Sequence, residues 1–189
     1  MKSLFRGSLF AVLIGLIGAA LLHIVIILTL PQLTGKDAYT RVLGLFEMDR
    51  FFPLDAKPGF TGLANGDPFL QVAVCSFSIS ELATRLQAVG KVPFWSLAIY
   101  DSASNEVFSM NDETSVTGTL DVVIASNAQL ITLRKSLPAA LTNSILVEMP
   151  DTEGYAVLRA FAPVPSLLPA AQDFITQSAC EEFDPALQP

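Results

Sequence analysis

An unbroken apolar run from Leu9 to Leu30, interrupted only by His23 and Thr29, constrains this chain more than any other feature. Polypeptide in hydrocarbon has no water to satisfy its amides, so such a run must be helical. At about 1.5 Å per residue it can cross roughly 30 Å of lipid. Pro31 is expected to end the helix. Lys2 and Arg6 precede it, and positive charge on a short leading segment favours leaving that end in the cytoplasm. The expected placement is a single-pass protein of the bacterial inner membrane, its C-terminal part periplasmic. Gly18-Ala19-Ala20 offers the competing reading of a cleaved signal peptide. Cleavage there would leave the greasy stretch from Leu21 to Leu28 at a mature N-terminus, so an uncleaved anchor is the preferred reading.

Gly7, Ala11, Gly15 and Ala19 recur every fourth residue, a small-residue stripe along which a second helix could approach, and His23 continues it. A lone histidine there is either a polar contact between helices or a neutral side chain that lipid tolerates. These five residues are the candidate helix-association positions, and the bilayer is the first expected partner.

All 18 acidic residues and all but two of the 11 basic ones follow the run, leaving that part of the chain at a net charge of −9. An acidic surface disfavours nucleic acid, whose binding needs concentrated Lys and Arg. Three segments are expected: residues 1–31 as cytoplasmic N-terminus and span, 32–66 as juxtamembrane helix and linker, and 67–189 as a β-rich domain. Residues 37–48 place Tyr39, Val42, Leu43 and Phe46 at helical spacing, while residues 58–68 carry the Pro and Gly of an irregular connection.

The strands announce themselves by alternation. Residues 69–77 are rich in β-branched and aromatic side chains. In residues 92–100, Trp95, Leu97 and Ile99 share one face while Phe94, Ser96, Ala98 and Tyr100 share the other. Asp101 to Asn105 supplies turn residues, and residues 106–110 can return as the antiparallel partner. Residues 120–125, 145–148 and 156–161 read as further strands. Ser126 and Gln129 have capping-box spacing for a short helix, and Leu167, Ala171, Phe174 and Ile175 mark a helical face before Cys180. The expected fold is mostly β (α+β): one N-terminal transmembrane helix, then an antiparallel β domain with two or three short accessory helices.

Two cysteines, Cys75 and Cys180, form either a disulfide, if the compartment is oxidising, or two separate buried thiols. With the only His in the apolar run, neither a metal site nor a Ser-His hydrolase is supported, and no phosphate loop, catalytic motif or cofactor is implied. The cluster worth following is Trp95, Tyr100 and Asn111 as ligand-binding candidates with Asp101 and Asp112 as candidate catalytic carboxylates. Paired carboxylates can do acid and base work if one is desolvated, whereas Asp and Asn in turns commonly bond their own backbone.

The segments Val92-Pro-Phe-Trp-Ser-Leu-Ala-Ile-Tyr-Asp101, Phe108-Ser-Met-Asn-Asp112 and Leu130-Ile-Thr-Leu-Arg-Lys135 resemble a bacterial domain-of-unknown-function family, DUF twelve-fifty-four. The chain is most similar to that family's short single-span form. Similar Phe-Trp-Ser-x-x-x-Tyr-Asp strands occur in the companion family, DUF twelve-fourteen. The resemblance implies a largely β fold and an envelope location. Because longer relatives carry both domains on one chain, it also implies a companion-domain membrane protein as partner, with a homo-oligomer as the alternative. It transfers no catalytic residue. The function expected is that of a non-catalytic interaction module at the periplasmic face, the alternative being an enzyme or ligand-binding domain with a carboxylate and aromatic pocket between Trp95 and Asp112.

Overall fold

The computed structural model describes residues 2–34, 38–45, 47–116 and 118–185. The chain forms two compact units, Met1–Asp37 and Ala38–Pro189. The first is helix α1 (Lys2–Thr34), whose stretch Gly7–Leu30 is long and apolar enough to cross a bilayer. The helix runs on to Thr34 and does not end at Pro31 as the sequence led one to expect: the amides of residues 32–34 follow the proline and can still donate to carbonyls four residues back. Gly7, Ala11, Gly15, Ala19 and His23 all lie on α1 and are solvent-exposed, and a Cβ added at Gly7 or Gly15 would meet no atom within 4 Å.

In the second unit, helix α2 (Ala38–Leu43) is followed by β1 (Phe52–Pro53), β2 (Leu70–Ser78), β3 (Ala83–Ala88), β4 (Trp95–Asp101), β5 (Glu106–Asn111) and β6 (Leu120–Ala125). Then come α3 (Asn127–Lys135), β7 (Ile145–Glu148), β8 (Glu153–Phe161), α4 (Leu168–Thr176) and β9 (Ala179–Phe183). The strands form two sheets, ordered β1-β2-β8-β4-β5 and β7-β6-β3-β9. The fold is α+β, with short helices around the sheets. Every pairing is antiparallel except β6 with β7, which run parallel. Parallel neighbours need a crossover, and α3 supplies it. Its start is fixed by the capping box: the Ser126 hydroxyl accepts from the Gln129 amide, and the Gln129 side-chain oxygen accepts from the Ser126 amide at 2.8 Å.

The two sheets share one core. Cys75, Phe77, Trp95, Leu97, Ile99, Ala156 and Leu158 enter it from the five-stranded sheet, Leu86, Leu120, Val122, Ile124 and Cys180 from the other, with Phe174 and Ile175 of α4 closing it. Each fully buried large side chain contributes on the order of 1.5–3 kcal/mol. Two smaller clusters form on the outer faces. Leu130, Leu133 and Leu141 cover Val123 and Ala125 of the four-stranded sheet. On the five-stranded sheet, Val42 of α2 with Leu54 and Leu63 covers Val74, Tyr155 and Val157. Residues 38–66 thus pack onto β2 and β8. Leu43, at the end of α2, points outward at 42% exposure, and Phe46 lies outside the described residues.

Three strands go beyond the sequence expectation: β1, which pairs with β2 where a linker was expected, and β3 and β9. Strand β3 carries Thr84, Arg85 and Gln87, and β9 carries Glu181 and Glu182, compositions that favour turns or solvent until pairing satisfies them. Arg85 is accommodated by a bidentate pair with Asp121 at 2.9 and 2.8 Å, a bond to the Ala140 carbonyl and the ring of Phe183.

The cysteines are bonded. Cys75 of β2 and Cys180 of β9, 1% and 4% exposed, join the two sheets through the core and close a loop of 105 residues. In the chain-entropy account such a cross-link contributes about 4–5 kcal/mol by restricting the unfolded chain. Replacing both cysteines with alanine in the detergent-solubilised protein is expected to lower the urea midpoint by an amount equivalent to several kcal/mol. Peptide mapping without reductant should recover the two cysteine peptides linked. Free, alkylatable thiols at both positions in the native protein would contradict the bond.

Candidate functional site

The β4–β5 hairpin forms with Ser96 opposite Asn111 and Leu97 opposite Met110, so the expected alternation holds. It sends the candidate residues to different places. Trp95 is 1% exposed, its ring stacked on Phe174 at 6.3 Å between centroids, and its indole N–H donates to the Gly118 carbonyl at 3.2 Å. This is a core position, with the polar edge of the ring satisfied as burial demands. Tyr100 lies on the opposite face of the strand and stacks on Tyr155 at 5.0 Å.

Asp101 closes the hairpin turn: its two carboxylate oxygens accept from the main-chain and side-chain amides of Asn105, each at 2.8 Å. Asn111 caps the short 3₁₀ turn Asp112–Thr114, its side-chain oxygen accepting from the Thr114 amide while the Thr114 hydroxyl accepts from the Asn111 amide. In the same turn the Asp112 main-chain carbonyl accepts from the Ser115 hydroxyl. Asp101 and Asp112 therefore occupy opposite ends of a hairpin whose first strand runs from Trp95 to Asp101. Six residue steps at about 3.4 Å each separate the two ends by roughly 20 Å. The paired carboxyls of glycosidases are about 5 to 9.5 Å apart, and those of aspartic proteases about 3 Å. The hairpin gathers no carboxylate pair around an aromatic pocket, and among the described residues no three His, Cys, Asp or Glu side chains come together to hold a metal.

What the hairpin does build is a shallow groove of ≈ 380 Å³ on the outer face of the five-stranded sheet. Residues 38–66 cover the β2 side of that face and leave the β4–β5 side open. The floor is made of small residues, Ser96, Ala98 and Ser109, with Phe94 and Tyr100 standing along it. Tyr100 and Asn111 are the two sequence candidates that line it. Arg159 of β8 joins them, opposite Ser96 on one side and Val72 on the other. Sequence reading did not single out this arginine, although a charge inside the apolar stretch from Tyr155 to Phe161 is the mark of a strand with one solvated face. An apolar hollow of ≈ 290 Å³ lies on the other sheet, between α3 and Phe183.

No family model matches the chain, and no curated protein matches it. Among solved structures, a protein from Vibrio parahaemolyticus superposes with a TM-score of 0.60 at 12% identity, over 80% of this chain and 36% of its own length. An uncharacterized protein from Burkholderia cenocepacia gives a TM-score of 0.49 at 12% identity, over 78% of this chain and 38% of its own. The chain thus spans little more than a third of the solved chains it resembles, and the likeness is one of fold.

Burial holds the carboxyl group of Asp49 above its usual range. Asp49 has a left-handed backbone (φ 58°), its amide donates to the Ser76 carbonyl at 2.8 Å, and one carboxyl oxygen is buried without a partner among the described residues. Burial, reinforced by the negative charge of Glu182, raises its pKa from 3.8 to about 6. The folded chain keeps this proton to a higher pH than the unfolded chain does. Stability accordingly falls as pH rises from about 4 to about 6, the sign opposite to that of a salt-bridged carboxylate. Asp49→Asn removes the charge and tolerates the left-handed backbone. Urea midpoints measured from pH 4 to pH 7.5 should show the variant gaining on the native chain between about pH 4 and about pH 6, with the difference levelling off above that. Parallel curves would refute the assignment.

Proposed function

We propose that this chain is a single-pass membrane protein whose folded unit lies on the periplasmic face of a bacterial inner membrane and serves as a non-catalytic interaction module. The observation that carries the reading is the Cys75–Cys180 bond inside the core of a unit that follows an apolar, membrane-length helix. Structural disulfides persist where the compartment is oxidising, and the apolar helix is the means of reaching and staying beside one. Lys2 and Arg6 support the orientation with the N-terminus in the cytoplasm.

The interaction half of the proposal is supported by where the hairpin carboxyls lie. Asp101 has both oxygens engaged in the turn, Asp112 stands at the far end of the hairpin, and the open surface between them is a groove on a sheet face rather than an enclosed pocket. The resemblance to DUF twelve-fifty-four names the partner class: a membrane protein carrying the companion domain, with a second copy of this chain, met along the Gly7 to His23 stripe, as the alternative.

The test is recovery from membranes. The intact-mass N-terminus should be uncleaved, the chain should resist alkaline extraction, and protease added to the periplasmic side should reach residues 38–189. Purification in mild detergent should bring down one stoichiometric partner or a dimer. A mature N-terminus near Leu21 would overturn the anchor, and a lone monomer would overturn the module.

A further inference from the structure

Across the floor of the groove three hydrogen-bond donors stand in one ladder row. Arg159 of β8 lies opposite Ser96 of β4, and Ser96 lies opposite Asn111 of β5. All three line the groove, while the residues that alternate with them, Leu97, Met110 and Leu158, are buried in the core. Directly opposed residues in antiparallel strands are about 4.5–5.5 Å apart, so the row spans roughly 10 Å.

None of the three side-chain donors has an acceptor among the described residues. The Asn111 side-chain oxygen is occupied by the Thr114 amide and hydroxyl, which fixes the amide plane and leaves its NH₂ without an acceptor. The Arg159 guanidinium is half-buried and forms no ion pair among the described residues, whereas Arg50 pairs with Glu47 and Arg85 with Asp121. The contrast with Arg85 is informative. Both arginines sit mid-strand on the outer face of a sheet, yet Arg85 has its carboxylate and Arg159 faces Val72 and Ser96. The nearest acid in the groove, Glu106, is opposite Tyr100, four residues and about 13 Å along β4 from Ser96, and accepts from the Ser109 hydroxyl.

We propose that Arg159, Ser96 and Asn111 form a recognition row for a carboxylate, presented by an acidic side chain on an extended segment of a partner protein that lies over the open face of the β4–β5 hairpin. A planar guanidinium with an adjacent hydroxyl and amide supplies charge and directed donors to the two oxygens of a carboxylate. The shallow, open groove suits a chain that continues past the site, whereas a small ligand needs a cavity that encloses it. Phe94 and Tyr100, which flank the row, offer apolar surface to the residues on either side of the acid. This inference rests on the interaction-module reading and names the chemistry of its partner.

The test uses the full chain in detergent micelles with selectively ¹⁵N-labelled arginine and asparagine. It is titrated with N-acetyl-glutamate N-methylamide, the matching glutamine derivative, N-acetyl-alanine and inorganic phosphate. The glutamate probe should move the Arg159 side-chain N–H and the Asn111 NH₂ signals saturably, and the glutamine probe should not. Arg159→Gln should weaken binding at least tenfold, and Arg159→Lys should weaken it less, because charge is kept and the planar fork is lost. Equal responses to the glutamate and glutamine probes, or Arg159→Gln binding like the native chain, would overturn the proposal. So would tighter binding of phosphate or of the free α-carboxylate of N-acetyl-alanine. Co-purification separates the two readings: a partner retained by Arg159→Gln removes the row as its contact and keeps the module. Probe binding by a chain that recovers no partner keeps the row and removes the module.

Discussion

The second unit depends on the burial of alternate side chains between two sheets that share no hydrogen-bonded strand. Nothing in the backbone ladders joins β1-β2-β8-β4-β5 to β7-β6-β3-β9. The joints are side chains: Phe77, Trp95, Leu97 and Ile99 against Leu86, Leu120, Val122 and Ile124, and one covalent link from Cys75 to Cys180. The link is placed where it matters for order. Strand β9 is an edge strand of only five residues, paired on one side to β3, and its two exposed residues, Glu181 on one face and Glu182 on the other, bring no apolar burial. Apolar packing of Phe183 and Cys180 with a covalent tie to β2 holds in place a strand whose composition alone would leave it in solvent.

Packing on the outer faces is unequal, and that inequality shapes the surface. On the four-stranded sheet α3 lies over Val123 and Ala125, and the one strand-centre cation there is neutralised by Asp121. On the five-stranded sheet, residues 38–66 reach only as far as β8, whose Tyr155 and Val157 they cover. Beyond that line the floor of the sheet falls to serine and alanine, and Arg159 stands at the boundary. A helix could not seat on this half as α2 seats on the other, because Ser96, Ala98 and Ser109 offer little apolar area to bury.

Local signals in the sequence predicted what local physics decides. The alternation from Trp95 to Tyr100 named both faces of β4, the Asp101 to Asn105 turn named its hairpin, the Ser126 and Gln129 pair named the start of α3, and Leu167 to Ile175 named the buried face of α4. What escaped depends on residues distant in the chain. Arg85 makes β3 look polar until Asp121, 36 residues later, pairs with it. Two consecutive glutamates hide β9 until β3 receives it. The crossed sheet order, with β8 between β2 and β4, is set by which faces bury together and not by any short pattern. The candidate cluster divided for the same reason. Trp95 and Tyr100 are five residues apart in sequence, which in a strand places them on opposite faces, one in the core and one on the groove.

That division also decides which chemistry the hairpin can support. A carboxylate acts as acid or base when it is desolvated and aimed at a partner, and Asp101 is spent on closing a turn that fixes the register of β4 and β5. The register is what brings Asn111 level with Ser96, and the pairing of β4 with β8 is what brings Arg159 level with both. The acidic residue that looked like chemistry in the sequence therefore acts through structure: it holds the turn of the hairpin in which Asn111 comes level with Ser96, and β8 adds Arg159 to the same row on the part of the sheet that residues 38–66 leave open.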